Sequence, residues 1–149
     1  MKRRKFIALL GAVAAAWPLV AHAQQSKEIP RLCFLTFDPG TLQSRSPRFD
    51  VFFDSLRDLG YVDGKTIVID YLSDRFPALV SECLRLKADI IAVSTTPAAQ
   101  AAKRGTRTVP IVMIALGDPL GTGLVESIVR PGGNVTGMSL MVPELVLKY

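Results

Sequence analysis

Between residues 89 and 137 the chain repeats one pattern: a short apolar run, a polar or glycine-rich break, then a helical stretch. The runs at 90–93 (Ile-Ile-Ala-Val) and 111–115 (Ile-Val-Met-Ile-Ala) are nearly continuous rather than alternating. That is how parallel strands buried on both faces read. Ser94-Thr95-Thr96-Pro97 follows the first run and places hydroxyls and a proline at a helix start; Leu116-Gly117-Asp118-Pro119 follows the second. Open α/β sheets bind ligands outside the carboxyl ends of their strands, at helix N-termini that favour anions. The pattern therefore points to a small-molecule site rather than to a nucleic-acid or membrane surface.

The preceding residues extend the alternation. A strand is predicted over 31–37, followed by a polar loop over 38–47 that turns at Asp38-Pro39-Gly40. Phe49, Phe52, Phe53, Leu56 and Leu59 fall at helical spacing and predict a helix over 48–59, stopped by Gly60. Asp63-Gly64 turns into a strand over 66–71, and a second helix starts near Pro77, burying Leu79, Val80, Cys83 and Leu84. After the strand at 89–93, a third helix begins at Pro97 with Thr96 as its predicted N-cap and ends before Val109. A strand over 111–115, a fourth helix over 122–129, a turn at Pro131-Gly132-Gly133-Asn134 and a strand over 135–140 complete the reading. Alternating β and α elements with short links predict an α/β fold, a doubly wound parallel sheet. No internal repeat, low-complexity tract or long linker interrupts it.

The first residues give an address. Lys2, Arg3, Arg4 and Lys5 precede an uncharged apolar run over 6–20, and Ala21-His22-Ala23 has the A-x-A form of a signal-peptidase site. Cleavage there, with Ala21 and Ala23 as the recognition pair, makes Gln24 the first mature residue and places the protein in the periplasm or outside the cell. The run is short for a membrane span and is closed by Pro18, which favours a cleaved signal over a retained anchor. Arg3 and Arg4 also fit a twin-arginine (Tat) export motif; an ordinary Sec signal satisfies the same residues, so both routes stand. Cys33 lies well past the cleavage site, so the leader has no lipobox.

Export also rewrites the charge. Removing the leader's four basic residues from 18 Lys and Arg leaves 14 against 13 acidic residues, about +1. No basic nucleic-acid face is expected, and Lys103, Arg104 and Arg107 read as a solvated helix end. The single histidine, His22, leaves with the signal, which excludes Ser-His-Asp and Cys-His catalysis and histidine-ligated metals from the mature chain. Cys33 and Cys83 lack C-x-x-C spacing and fall at buried positions of a strand and a helix; they read as two buried thiols, although export permits a disulfide.

The glycine-rich stretches carry no nucleotide signature. Residues 117–123 lack the Lys-Ser/Thr of a P-loop, and Gly121-x-Gly123 has Glu126 where a dinucleotide fingerprint needs its third glycine. No catalytic carboxylate pair is evident, and no cofactor is expected. Asp118 before Pro119 is equally readable as a loop cap or a ligand contact.

Several motifs together resemble one family. They are the leader ending AHAQQ, Asp58-Leu59-Gly60-Tyr61-Val62-Asp63-Gly64-Lys65, Arg75-Phe76-Pro77-Ala78-Leu79, Ser94-Thr95-Thr96-Pro97-Ala98-Ala99, Pro110-Ile111-Val112, Gly117-Asp118-Pro119 and Arg130-Pro131-Gly132-Gly133-Asn134-Val135-Thr136-Gly137. Their order and spacing look like the substrate-binding proteins of ABC transporters, in the group that includes tryptophan- and tyrosine-uptake binding proteins. The resemblance implies a type I periplasmic-binding-protein fold, in which two Rossmann-like lobes close on a small solute. It implies a leader over 1–23, a linker over 24–30, one ligand-binding lobe over 31–141, and over 142–149 the start of a crossover to a second lobe. The chain is also several residues shorter between Tyr71 and Phe76 than its relatives commonly are.

The same resemblance implies a non-enzymatic, extracytoplasmic solute-binding component of an ABC uptake system. Its solute would be an amino acid or related carboxylate, and an ABC permease would be its partner once a second lobe is supplied. Ser94, Thr95 and Thr96 would hold the ligand through hydroxyls and helix N–H groups. Thr36, Phe37, Gly117, Asp118 and Ser139 would line the same edge. Each hydroxyl has an alternative role as a cap or strand-end bond. Self-association through the exposed edge of a single lobe is expected. The competing reading is a fragment of a secreted α/β enzyme or an orphan ligand-sensing domain.

Overall fold

The computed structural model describes residues 29–127 and 130–140. The predicted export leader, the predicted crossover start at 142–149 and the last two positions of the predicted fourth helix lie outside them. Five parallel strands form one sheet in the order β2-β1-β3-β4-β5. They are β1 (Arg31–Leu35), β2 (Val68–Leu72), β3 (Ile90–Val93), β4 (Ile111–Leu116) and β5 (Val135–Ser139). Helices α1 (Asp50–Asp58), α2 (Phe76–Arg85) and α3 (Thr96–Gly105) provide the first three crossovers. The doubly wound α/β reading holds.

Alternation along each strand divides the core in two. Cys33, Leu35, Ile91, Val93, Ile111, Met113 and Val135 point to the face covered by α2 and α3, where they pack with Val80, Cys83 and Ala98, Ala99, Ala101 and Ala102. Leu32, Phe34 and Ala92 point to the opposite face and meet Phe49 and Phe53 at the start of α1. Phe34 is the hub there, with ring centroids 5.0 Å from Phe49 and from Phe53 and 5.3 Å from Tyr71. The alanines of α3 bring its backbone close to the sheet and to α2. Gly105 closes that approach, because a Cβ there would collide with Val80.

Several boundaries differ from those predicted. The first helix enters through a 3-10 turn, Pro47–Phe49, before becoming α-helical at Asp50. It stops as expected at Gly60, whose φ of 91° only glycine adopts cheaply and whose N–H bonds to Arg57 O at 2.9 Å. β1 ends at Leu35 rather than at 37, and β2 is displaced to Val68–Leu72. The N-cap of α3 is Thr95, not Thr96: Thr95 is extended (φ −143°, ψ 150°) and its hydroxyl accepts the Ala98 N–H, while Thr96 is already helical. The predicted fourth helix is absent from the described part of its range. Residues 118–124 form turns instead, with Thr122 Oγ1 donating to Asp118 O at 2.6 Å and Gly121 N to Asp118 Oδ1 at 2.8 Å. Leu124 and Val125 are still buried, so the apolar periodicity was real but local turn chemistry overrode it.

Candidate functional site

Strand order reverses between β1 and β3, since the chain steps one way from β1 to β2 and the other way from β3 to β4 and β5. The crossovers leaving β1 and β3 lie on opposite faces, so a crevice opens between their carboxyl ends. Such a switch point is where open α/β sheets bind ligands. Leu35 and Val93 are paired in register at this edge. The residues that follow them are Thr36 and Phe37 on one side and Ser94, Thr95 and Thr96 on the other. The sequence-predicted residues thus converge on a single sheet edge, five of them at the switch point itself. Gly117, Asp118 and Ser139 follow β4 and β5 farther along the edge, where Leu116 pairs with Ser139.

The hydroxyls differ in what they have left to offer. Thr36 is fully buried, and its Oγ1 accepts the Asp38 N–H at 3.0 Å, so it shapes the loop after β1. Ser94 clamps β3 to β1: its N–H and its hydroxyl both donate to Leu35 O, at 3.1 and 3.3 Å. Its oxygen lone pairs remain as acceptors. Thr95 Oγ1 accepts from Ala98 N at 3.3 Å and keeps its own proton to donate. The Thr96 hydroxyl has no hydrogen-bond partner among the described residues. At this helix start Pro97 has no N–H and that of Ala98 is used by the cap, which leaves Thr96 to supply the free main-chain donor of the first three helical residues.

Phe37 is 59% exposed, and its ring meets Phe76 edge-on at 4.5 Å. The two border an open cleft of about 430 Å3 with Pro39, Ser73, Asp74 and Arg75, at the carboxyl ends of β1 and β2. Asp118 is committed to its turn through Oδ1, which satisfies the loop-cap reading of that residue. Ser139 Oγ donates to Gly117 O at 3.1 Å and holds the ends of β4 and β5 together.

Two features escaped the sequence. Ala115 has a φ of 54°, a left-handed conformation uncommon for a residue with a Cβ, where the β4–β5 register shifts between Met113 and Leu116. Gly137 accommodates the irregularity, because a Cβ there would strike the main chain of Met113. The second feature is a polar knot after β1: the Tyr71 hydroxyl donates to Asp38 Oδ2 at 2.9 Å, and Arg48 stands 3.8 Å from the same carboxylate. Asp38 read only as a turn residue; its partner lies on a strand that local periodicity could not place beside it. The Lys103, Arg104 and Arg107 cluster borders a separate groove of about 450 Å3 away from the strand ends, where Lys103 Nζ donates to Gly123 O and Leu124 O at 2.7 and 3.1 Å.

Comparisons with known proteins identify the family. A family described as "ABC transporter substrate binding protein" matches residues 43–145. A tyrosine-binding protein of Clostridioides difficile (strain R20291) is 41% identical over 93 residues, which is 59% of this chain and 27% of that protein. Among solved structures, an ABC domain in complex with L-Trp from Streptococcus pneumonia is 29% identical with a TM-score of 0.63, covering 74% of this chain and 38% of the other. A ligand-free, open substrate binding protein with adhesive properties from Clostridium difficile is 30% identical with a TM-score of 0.65, covering 74% and 39%. The chain therefore spans roughly a quarter to two fifths of these relatives' lengths, consistent with one lobe. With more than half of its residues matched by the family and its sheet shared with these structures, the chain belongs to the ABC transporter substrate-binding proteins.

Proposed function

We propose that the chain is one lobe of an extracytoplasmic solute-binding component of an ABC uptake system, and that its solute is an amino acid or related carboxylate. The observation that carries this reading is the switch-point edge, where Ser94, Thr95 and Thr96 stand together with complementary hydrogen-bonding capacity. Thr95 and Thr96 retain O–H donors and Thr96 a main-chain N–H, beside the positive end of α3, which suits a carboxylate. Ser94 spends its proton on Leu35 O and retains lone pairs, which suits an ammonium group. An α-amino acid carries both groups on one carbon.

Phe37 offers an exposed ring beside this edge, and the relatives that bind tyrosine and L-Trp make aromatic amino acids the first solutes to test. Binding rather than catalysis is the reading that the substrate-binding family supports. A second lobe closing over the edge would bury the solute, and an ABC permease would receive it. The export leader supports a periplasmic or secreted location.

Calorimetric titration of this lobe joined to the second lobe of a relative, with aromatic, aliphatic and acidic amino acids, tests the reading. Saturable binding of at least one amino acid, lost when its carboxylate is amidated, is the expected outcome. A folded two-lobe protein that binds none of them would overturn it.

A further inference from the structure

We propose that the groove beside the end of α3 binds a doubly charged oxoanion, a phosphate or phosphate monoester, held by Arg104 and Arg107. Gln100, Lys103, Arg104 and Arg107 recur at helical spacing, and all four line that groove of about 450 Å3. Ala98, Ala99, Ala101 and Ala102 take the rest of the helix into the core. Residues 122–124 form the other wall of the groove. A segment that reads as a solvated helix end is thus folded into a concave face.

The charge in this groove is not neutralised. Arg31, Arg45, Arg48, Arg57 and Arg85 each stand against a carboxylate. Arg104 and Arg107 have no ion-pair or hydrogen-bond partner among the described residues. The carboxyl end of α3 contributes only about half a negative charge, too little to balance two guanidiniums. Lys103 is spent differently: its Nζ donates to Gly123 O and Leu124 O at 2.7 and 3.1 Å. That fastens the two walls together and covers two carbonyl oxygens that would repel an anion. Gln100 adds an amide with no partner among the described residues. Each guanidinium presents a planar fork of N–H donors that grips two oxygens of an oxoanion at once. Two forks match the charge of a phosphate monoester, about −1.5 to −2 at pH 7. A single carboxylate would leave one fork unpaired. The solute site is independent of this groove, since Thr95 and Thr96 start α3 and the groove borders its end.

The test is equilibrium dialysis of the full chain against radiolabelled inorganic phosphate at fixed ionic strength, a readout that does not require a monomer. Saturable binding is expected, with methyl phosphate competing well and the monoanion dimethyl phosphate about tenfold more weakly. Arg104→Gln and Arg107→Gln should each weaken binding by about tenfold, the scale of losing a hydrogen bond to a charged group. Arg85→Gln removes the same charge elsewhere and should bind as wild type does. Phosphate sources are told apart with vesicles. Cosedimentation with phosphatidylcholine vesicles containing phosphatidic acid, but not with phosphatidylcholine alone, supports the site and assigns a membrane headgroup. Phosphate binding without cosedimentation supports it and assigns a free phosphate. Non-saturable uptake, equal losses in all three arginine variants, or displacement by succinate as effective as by methyl phosphate would overturn the proposal. The competition experiments use wild type and decide the matter even if a variant fails to fold.

Discussion

The Tyr71 hydroxyl donates to Asp38 Oδ2 at 2.9 Å, and the same carboxylate oxygen accepts the Ser46 N–H at 2.9 Å, so one side chain ties the end of β2 to both ends of the loop after β1. That loop carries Phe37 to the switch-point edge. Burial, and then the bond to Asp38, push the Tyr71 phenol up from 10.0 to about 12. Ionisation is therefore harder in the folded than in the unfolded chain. The stabilisation is complete below pH 10 and is lost as the pH rises to about 12. Unfolding midpoints measured across this window should show wild type above Tyr71→Phe at neutral pH, with the gap closing by about pH 12. A gap that stays constant through the window would show that the phenol proton plays no part.

Thr95 and Thr96 should separate stability from binding. Thr95→Ala removes the α3 cap and should lower stability by about 1 kcal/mol in denaturant titrations. Thr96→Ala leaves the cap intact and should change stability little. In a two-lobe version, Thr96→Ala should weaken solute binding by roughly 1–3 kcal/mol, the scale of a hydrogen bond to a charged group. Unchanged calorimetric affinity in that variant, with the circular dichroism of wild type, would remove Thr96 from the site.

Export should generate a mature chain that begins at Gln24. N-terminal mass spectrometry of the extracytoplasmic fraction checks this, and a species there that retains Met1 would refute it. Replacing Arg3 and Arg4 by lysine should abolish export if the twin-arginine route is used and leave it intact if the Sec route is used.

The 149-residue chain purified alone should bind solute weakly and self-associate. Parallel sheets are ordinarily covered on both faces. On the α1 side, a nearly apolar groove runs along Leu32, Ile90, Ala92 and Val112, and Ile90 is 38% exposed. Met138 and Leu140 at the β5 edge are 66% and 54% exposed. Light scattering alongside amino-acid titration decides the question. A monodisperse monomer with tight, saturable binding would show that one lobe is self-sufficient.

The sequence by itself determined the five strands, the first three helices and the sheet edge on which the candidate residues fall. Strands buried on both faces must be short continuous apolar runs, as at Ile90–Val93, and helices must start and stop at residues such as Thr95-Thr96-Pro97 and Gly60. Both signals are local, so they survive being read without partners. Where two local signals competed, the sequence could not rank them: the periodicity around Leu124 and Val125 predicted a helix, and the bonds of Asp118 to Gly121 and Thr122 made turns instead. The one-residue shift of the cap from Thr96 to Thr95 has the same origin, since both hydroxyls can cap and only the backbone angles choose between them. Tertiary structure alone decided the strand order that makes Thr36 and Ser94 neighbours and the pairing of Tyr71 with Asp38. These contacts join residues from separate elements, and periodicity within an element carries no record of which other element it will pack against.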